Sequence, residues 1–129
     1  MFKDSPAFSG YSVDDLDKAK HFYGDTLGLK VEGDHGILTM HLASGGTIIL
    51  YAKEGHEPAS FTVLNFPVED IDKAVDELTG AGIKMEHYKD FNQDDRDIMR
   101  GIDAGMGPDI AWFKDPAGNI LSVLHNPEA

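Results

Sequence analysis

Val13-Asp14-Asp15-Leu16-Asp17-Lys18-Ala19 returns 55 residues later as Val68-Glu69-Asp70-Ile71-Asp72-Lys73-Ala74. Each copy runs from an apolar residue through two acids into an apolar-periodic stretch. That is the pattern of a strand end entering a helix, the acids supplying capping oxygens and a charge suited to a helix N-terminus. The likeness continues past the heptads. Leu27-Gly28-Leu29-Lys30-Val31-Glu32 is matched by Ala81-Gly82-Ile83-Lys84-Met85-Glu86, with one residue deleted in between. One unit used twice decides the fold, and a duplicated domain commonly holds a site between its halves.

Outward from the first copy, Ala7 to Val13 reads as a strand, and the helix after it carries Leu16, Ala19, Phe22 and Tyr23 on one stripe. Gly24 and Gly28 close it. Strands follow at Leu29 to Glu32, Gly36 to Leu42 and Thr47 to Ala52, with Ser44-Gly45-Gly46 turning between the last two. The second copy opens with a strand, Phe61 to Phe66, whose pairing Pro67 ends. A helix with Ile71, Ala74, Val75 and Leu78 on one face comes next, then strands at Ile83 to Tyr88, Ile110 to Phe113 and Asn119 to His125. Asp115-Pro116-Ala117-Gly118 makes the turn before the last of these. The spacing predicts an α+β fold of two tandem βαβββ modules in a single domain over 1–129: module one about 7–52, a linker about 53–60 and module two about 61–126. The long acidic, glycine-rich stretch 89–109 reads as a lid or binding loop, with simple disorder as the open alternative.

Composition removes several function classes. A chain of 129 residues with 41% apolar content can bury one core but leaves no room for a separate catalytic domain. A net charge of −12 and the lack of any basic patch argue against nucleic acid and against anionic membranes. No apolar run approaches the roughly 20 residues that span a bilayer. With no cysteine there is no disulfide, thiolate metal site or Cys nucleophile. No charged n-region and long h-region of a secretory signal is evident, so the expectation is cytoplasmic.

Two βαβββ units, a strand-Val-x-Asp-hydrophobic-x-x-Ala helix entry in each, Phe22-Tyr23 before Leu27-Gly28, and Trp112-Phe113-Lys114-Asp115-Pro116-Ala117-Gly118-Asn119 near the end resemble the vicinal oxygen chelate superfamily. This is the glyoxalase, bleomycin-resistance and extradiol-dioxygenase group. The resemblance covers roughly Phe8 to His125 and implies a curled, cup-shaped mixed sheet with the helices outside and a small-molecule site inside. It also implies a homodimer. Metal-dependent members place His, Glu or Gln on the first and last strands of each half, positions that fall on Phe8, Ile49, Val63 and Ser122 in this sequence. Three apolar groups and one hydroxyl cannot ligate a divalent ion, and no flanking residue supplies an imidazole or carboxylate. No metal or other cofactor is therefore expected. The implied function is metal-independent binding of a small organic molecule, of the bleomycin or antibiotic-resistance sequestration type. The alternative is a glyoxalase-like lyase or dioxygenase-related enzyme using His41 and Tyr51 or an unconventional metal site.

Strand alternation indicates what the cup contains, since residues two apart share a face. If Phe8, Ile49, Val63 and Ser122 point inward, so do Tyr51, Asn65, Thr39 and His41, while Leu38, Met40, Leu42, Ile48 and Leu50 face a helix. Trp112 joins the pocket as a stacking platform, core filling being its plainer role. The candidate ligand-binding set is Phe8, Thr39, His41, Ile49, Tyr51, Val63, Asn65, Trp112 and Ser122. His41 beside Tyr51 is the candidate acid/base pair, a packed strand histidine being the competing reading. Asp94, Asp95 and Asp97 lack the glycine and distal Glu of a calcium loop and read as a solvated face. His56-Glu57 lacks the second His of a metalloprotease motif. Met99 and Met106 read as an adaptable cover for the pocket or as loop anchors.

Overall fold

The computed structural model describes residues 1–33 and 36–127, and the chain divides into two compact units, Met1–Pro58 and a second beginning at Ala59. In the first unit β1 (Ser9–Val13), α1 (Leu16–Lys20), β2 (Lys30–Glu32), β3 (Ile37–His41) and β4 (Thr47–Ala52) form a four-stranded sheet of order β1-β4-β3-β2. In the second, β5 (Thr62–Pro67), α2 (Ile71–Gly80), β6 (Met99–Arg100), β7 (Asp109–Lys114) and β8 (Ile120–His125) form a sheet of order β5-β8-β7-β6. In each sheet the first strand pairs in parallel with the last, and the other pairings are antiparallel. The fold is α+β, with two mixed sheets of the same topology. Among the described residues no helix is long and apolar enough to cross a membrane.

The repeated heptads do the same work in both units. Asp15 and Asp70 stand in extended backbone and accept hydrogen bonds from the amides of Lys18 (3.0 Å) and Lys73 (3.1 Å), the N-cap geometry that satisfies an otherwise orphaned helix donor. The helices then differ. α2 keeps Ile71, Val75 and Leu78 buried through three turns, whereas α1 passes after Lys20 into a π-helical turn, His21–Thr26. The wider turn buries both Phe22 and Tyr23, which meet edge to face at 5.2 Å. The Tyr11 hydroxyl donates to that of Tyr23 at 2.8 Å. On β3 and β4 the residues expected to face a helix, Leu38, Met40, Ile48 and Leu50, are buried, and Leu42 just beyond β3 is half-buried.

The second unit departs from the expected strands in three places. Ile83 to Tyr88 is not a strand. It touches the outer edge of β7 at one bridge, Met85 to Phe113, and by a 2.9 Å bond from the Glu86 amide to the Trp112 carbonyl. The rest of that edge goes to Met99–Arg100, from the stretch read as irregular, which pairs with Ile110 and Asp109. An edge group bonds one neighbour at a time, so the two segments divide β7 between them. Pro67 stays in the ladder opposite Leu124, because β5 is an edge strand and the Val68 amide supplies the next bond, to the Leu124 carbonyl at 2.8 Å. Finally, a β-bulge at Val63 shifts the register between Thr62 and Leu64.

The stretch 89–109 is tied down rather than loose. Gln93 accepts from the Tyr88 amide at 2.7 Å and donates to the carbonyls of Glu86 (3.0 Å) and Asp97 (2.8 Å). Asp94, expected on a solvated face, accepts from the amides of Arg96 and Ile98 and from Arg100 Nε, and Ile98 is fully buried. Arg96 and Arg100 then reach α2: both bond Asp72, at 2.7 and 2.8 Å, and Arg96 also pairs with Asp76. Gly101 closes the stretch where backbone passes backbone, since a Cβ there would lie 2.3 Å from the Pro108 carbonyl oxygen.

Candidate functional site

The second unit contains a cavity of about 410 Å³ walled by Phe61, Thr62, Tyr88, Asp90, Phe91 and Trp112. Three of its rings form a closed triangle. Tyr88 stands edge-on to Phe91 at 5.5 Å and to Trp112 at 5.6 Å, and Phe91 lies tilted over Trp112 at 5.0 Å. Trp112 is brought there by β7, opposite Ser122 of β8. Its Nε1 donates to Thr62 Oγ1 at 3.2 Å, and the fully buried Ser122 hydroxyl donates to Asn65 Oδ1 at 2.5 Å. These bonds put Thr62, Asn65, Trp112 and Ser122 on one face of the sheet and fix the indole plane. Phe91, by contrast, is 44% exposed and Phe61 67% exposed, so the cavity has a fixed floor and apolar side chains open to solvent.

The bulge corrects one member of the predicted set. Strict alternation would set Val63 beside Asn65 and Ser122, but the extra residue brings Thr62 into line with Ile120 and gives it the indole bond. Thr62, not Val63, is the β5 group at the cavity.

The remaining predicted residues lie in the first unit. Thr39 and Ile49 are paired neighbours on β3 and β4, and Phe8 precedes β1 with 68% of its surface exposed. His41 and Tyr51 share a face yet are not adjacent. The strands run antiparallel, so His41 faces Thr47 while Tyr51 faces Ile37, roughly 13 Å farther along at four residues' rise. Their proposed acid/base pairing is therefore overturned. His41 Nε2 instead lies 3.1 Å from Glu32 Oε2, and that bond, followed by the charge of Lys30, holds the Glu32 carboxyl below its usual range. Tyr51 faces Ser12, whose hydroxyl lies 2.6 Å from His56 Nδ1.

Tyr88, Phe91 and Thr62 were missed in the sequence, whereas strand alternation sets Phe61 on the face of Asn65. The available signal was an aromatic pair, three residues apart, at the entrance to the one long excursion. Tyr88 is chemically distinctive. Its hydroxyl is shielded from solvent with no hydrogen-bond partner among the described residues, and burial, followed by the charge of Glu86, pushes the phenol above its ordinary range.

Phe8, Ile49, Val63 and Ser122 do not fit a divalent ion. Three are hydrocarbon, and the Ser122 hydroxyl is already donating to Asn65. Among the described residues no three His, Asp or Glu side chains converge as metal ligands.

Residues 7–123 match the model of the Glyoxalase/Bleomycin resistance protein/Dioxygenase superfamily. The chain is also similar to three solved structures at identities that speak to fold alone. A glyoxalase/bleomycin resistance protein/dioxygenase from Alicyclobacillus acidocaldarius has a TM-score of 0.70 at 18% identity, covering 96% of this chain and 95% of that one. The fosfomycin resistance protein FosX from Listeria monocytogenes gives 0.67 at 13%, covering 92% and 87%. TnmS3, an antibiotic-binding protein from Streptomyces sp. CB03234, gives 0.63 at 21%, covering 92% and 94%.

Proposed function

The chain belongs to the glyoxalase/bleomycin resistance/dioxygenase superfamily, and we propose that within it this protein binds and sequesters a small aromatic organic molecule without a metal and without transforming it. The observation that carries this reading is the triangle of Tyr88, Phe91 and Trp112 around the cavity. Rings at these separations offer area and orientation to a planar guest, and Asp90 at the cavity wall disfavours an anionic one. Sequestration is favoured over catalysis because the four family positions lack ligands and His41 and Tyr51 stand too far apart to act together. FosX is a fosfomycin resistance protein and TnmS3 an antibiotic-binding protein, which makes antibiotics the first molecules to try. The family resemblance further points to a homodimer, which sedimentation velocity at two concentrations tests.

Trp112 is the only tryptophan, so its fluorescence reports on the cavity. Titration with a panel of planar aromatic antibiotics and heterocycles should find compounds that quench it and raise the melting temperature. The Phe91→Ala variant should bind them about tenfold more weakly, since it loses one wall of the stack. Exhaustive chelation should leave binding unchanged. Binding that disappears on chelation and returns with a divalent ion would refute the metal-free reading, and a panel-wide lack of response would refute the ligand reading.

A further inference from the structure

We propose that Tyr88 sets the specificity of this cavity by donating its hydroxyl proton to an acceptor, a ring nitrogen or ring carbonyl, on an uncharged or cationic planar guest. The proposal rests on the reading of the cavity as a ligand site and adds the polar group that selects among aromatic molecules. A phenol removed from water without a replacement partner is a costly arrangement, and the Tyr88 hydroxyl is in that condition while its ring lines the cavity. A guest that brings an acceptor removes the cost; a guest that brings only hydrocarbon leaves it in place. Because burial and the nearby Glu86 both disfavour the phenolate, the group stays protonated at neutral pH and serves as a donor. Glu86 and Asp90 also disfavour an anionic guest.

Phe91 stands against the Tyr88 ring, edge to face at 5.5 Å. A second recess, of about 450 Å³, is lined by Met99, Arg100 and Met106 among others, with Asp90 and Phe91 common to both cavities. Phe91 therefore borders both recesses and is nearly half exposed. Swinging it toward the thioethers, which adapt easily to a new neighbour, uncovers Tyr88 and leaves the Trp112 platform in place. The guest then lies between the indole and the displaced Phe91 ring, with its acceptor toward the phenol.

Acridine and anthracene test this directly, because they share one shape and differ by a ring nitrogen in place of a C–H. Trace amounts of each are equilibrated by dialysis against excess wild-type protein and Tyr88→Phe protein at mildly alkaline pH, where the acridine nitrogen is unprotonated. The ratio of anthracene to acridine dissociation constants should fall about tenfold on going from wild type to Tyr88→Phe, with anthracene binding itself unchanged. The ligand-free variant should melt no lower than wild type, since it loses only an unsatisfied hydroxyl. A ratio that does not change between the two proteins overturns the role of Tyr88 and leaves the cavity as a ligand site. Failure of wild type to bind either compound overturns the ligand-site reading for planar guests and this proposal with it.

Discussion

Arg100→Met should release the excursion that carries Tyr88, Asp90 and Phe91. Arg100 bonds Asp72 at 2.8 Å through Nη2 and Asp94 at 3.0 Å through Nε, and its Nη1 stands 3.8 Å from Asp109. A hydrogen bond to a charged group contributes about 1.5–3 kcal/mol when shielded, and about 0–1 kcal/mol when the pair is solvated. Asp72 is 47% exposed and belongs near the lower figure; Asp94, at 29%, belongs nearer the higher. Methionine keeps most of the stem, so the loss is chiefly polar, about 2–3 kcal/mol. In urea denaturation followed by Trp112 fluorescence, that corresponds to a midpoint lower by about 1 M. The pH dependence fixes the cause. Asp72 is held below its ordinary 3.8 first by the hydrogen bond from Arg100. For Asp94 burial acts upward, but the bonds from the Ile98 amide, Arg100 and the Arg96 amide outweigh it and the carboxyl is also lowered. A depressed folded-state pKa stabilises fully above the unfolded value and is lost as pH falls through the folded one, so the gap between wild type and variant should close below about pH 4. Superimposed curves at neutral pH, or a gap that persists in acid, would refute the reasoning.

Asp70→Ala removes the α2 cap and should cost about 1 kcal/mol in the same assay. Gly101→Ala presses a methyl group against the Pro108 carbonyl, where no flexible side chain can yield. It should cost roughly 1–3 kcal/mol and speed amide exchange at Met106, whose N–H bonds the Gly101 carbonyl. His41→Ala and Tyr51→Phe should each leave ligand-induced quenching of Trp112 unchanged, as titration would show; loss of quenching would return these residues to the site.

What could be read from the sequence was set locally. Asp15 and Asp70 announce their helices because an N-cap needs only a side-chain oxygen three residues before an amide. Leu38, Met40, Ile48 and Leu50 announce a buried face because the strand period is two. Trp112 is tied to a pocket by the family resemblance, which sets a ligand contact just before the Asp-Pro turn. What could not be read depends on competition between distant segments. Whether Ile83 to Tyr88 or Met99–Arg100 takes the edge of β7 is decided partly by Arg100 finding acids on α2, which alternation does not encode. His41 and Tyr51 do share a face, but strand direction, not face, sets their separation. The bulge at Val63 exchanged one residue for its neighbour, a shift that strict periodicity cannot foresee.

The candidate site lies where the repeat breaks. In the first unit the chain passes from its helical region to β2 within a few residues, Thr26 to Lys30. In the second, the path from Gly80 to Met99 holds an inserted stretch, and Tyr88 and Phe91 stand at its start. A duplicated scaffold supplies two equivalent edges, β2 against β3 and β6 against β7. In the first unit that edge is closed by a strand bearing Lys30 and Glu32, with Glu32 paired to His41. In the second it is shared, which lets aromatic side chains fold over Trp112 while Arg96 and Arg100 hold the insertion to α2. The shared topology of the two halves thus accounts for the scaffold, and the inserted stretch of the second accounts for the cavity. A ligand specific to this protein should accordingly depend on residues of 88–100 more than on any position the two halves have in common.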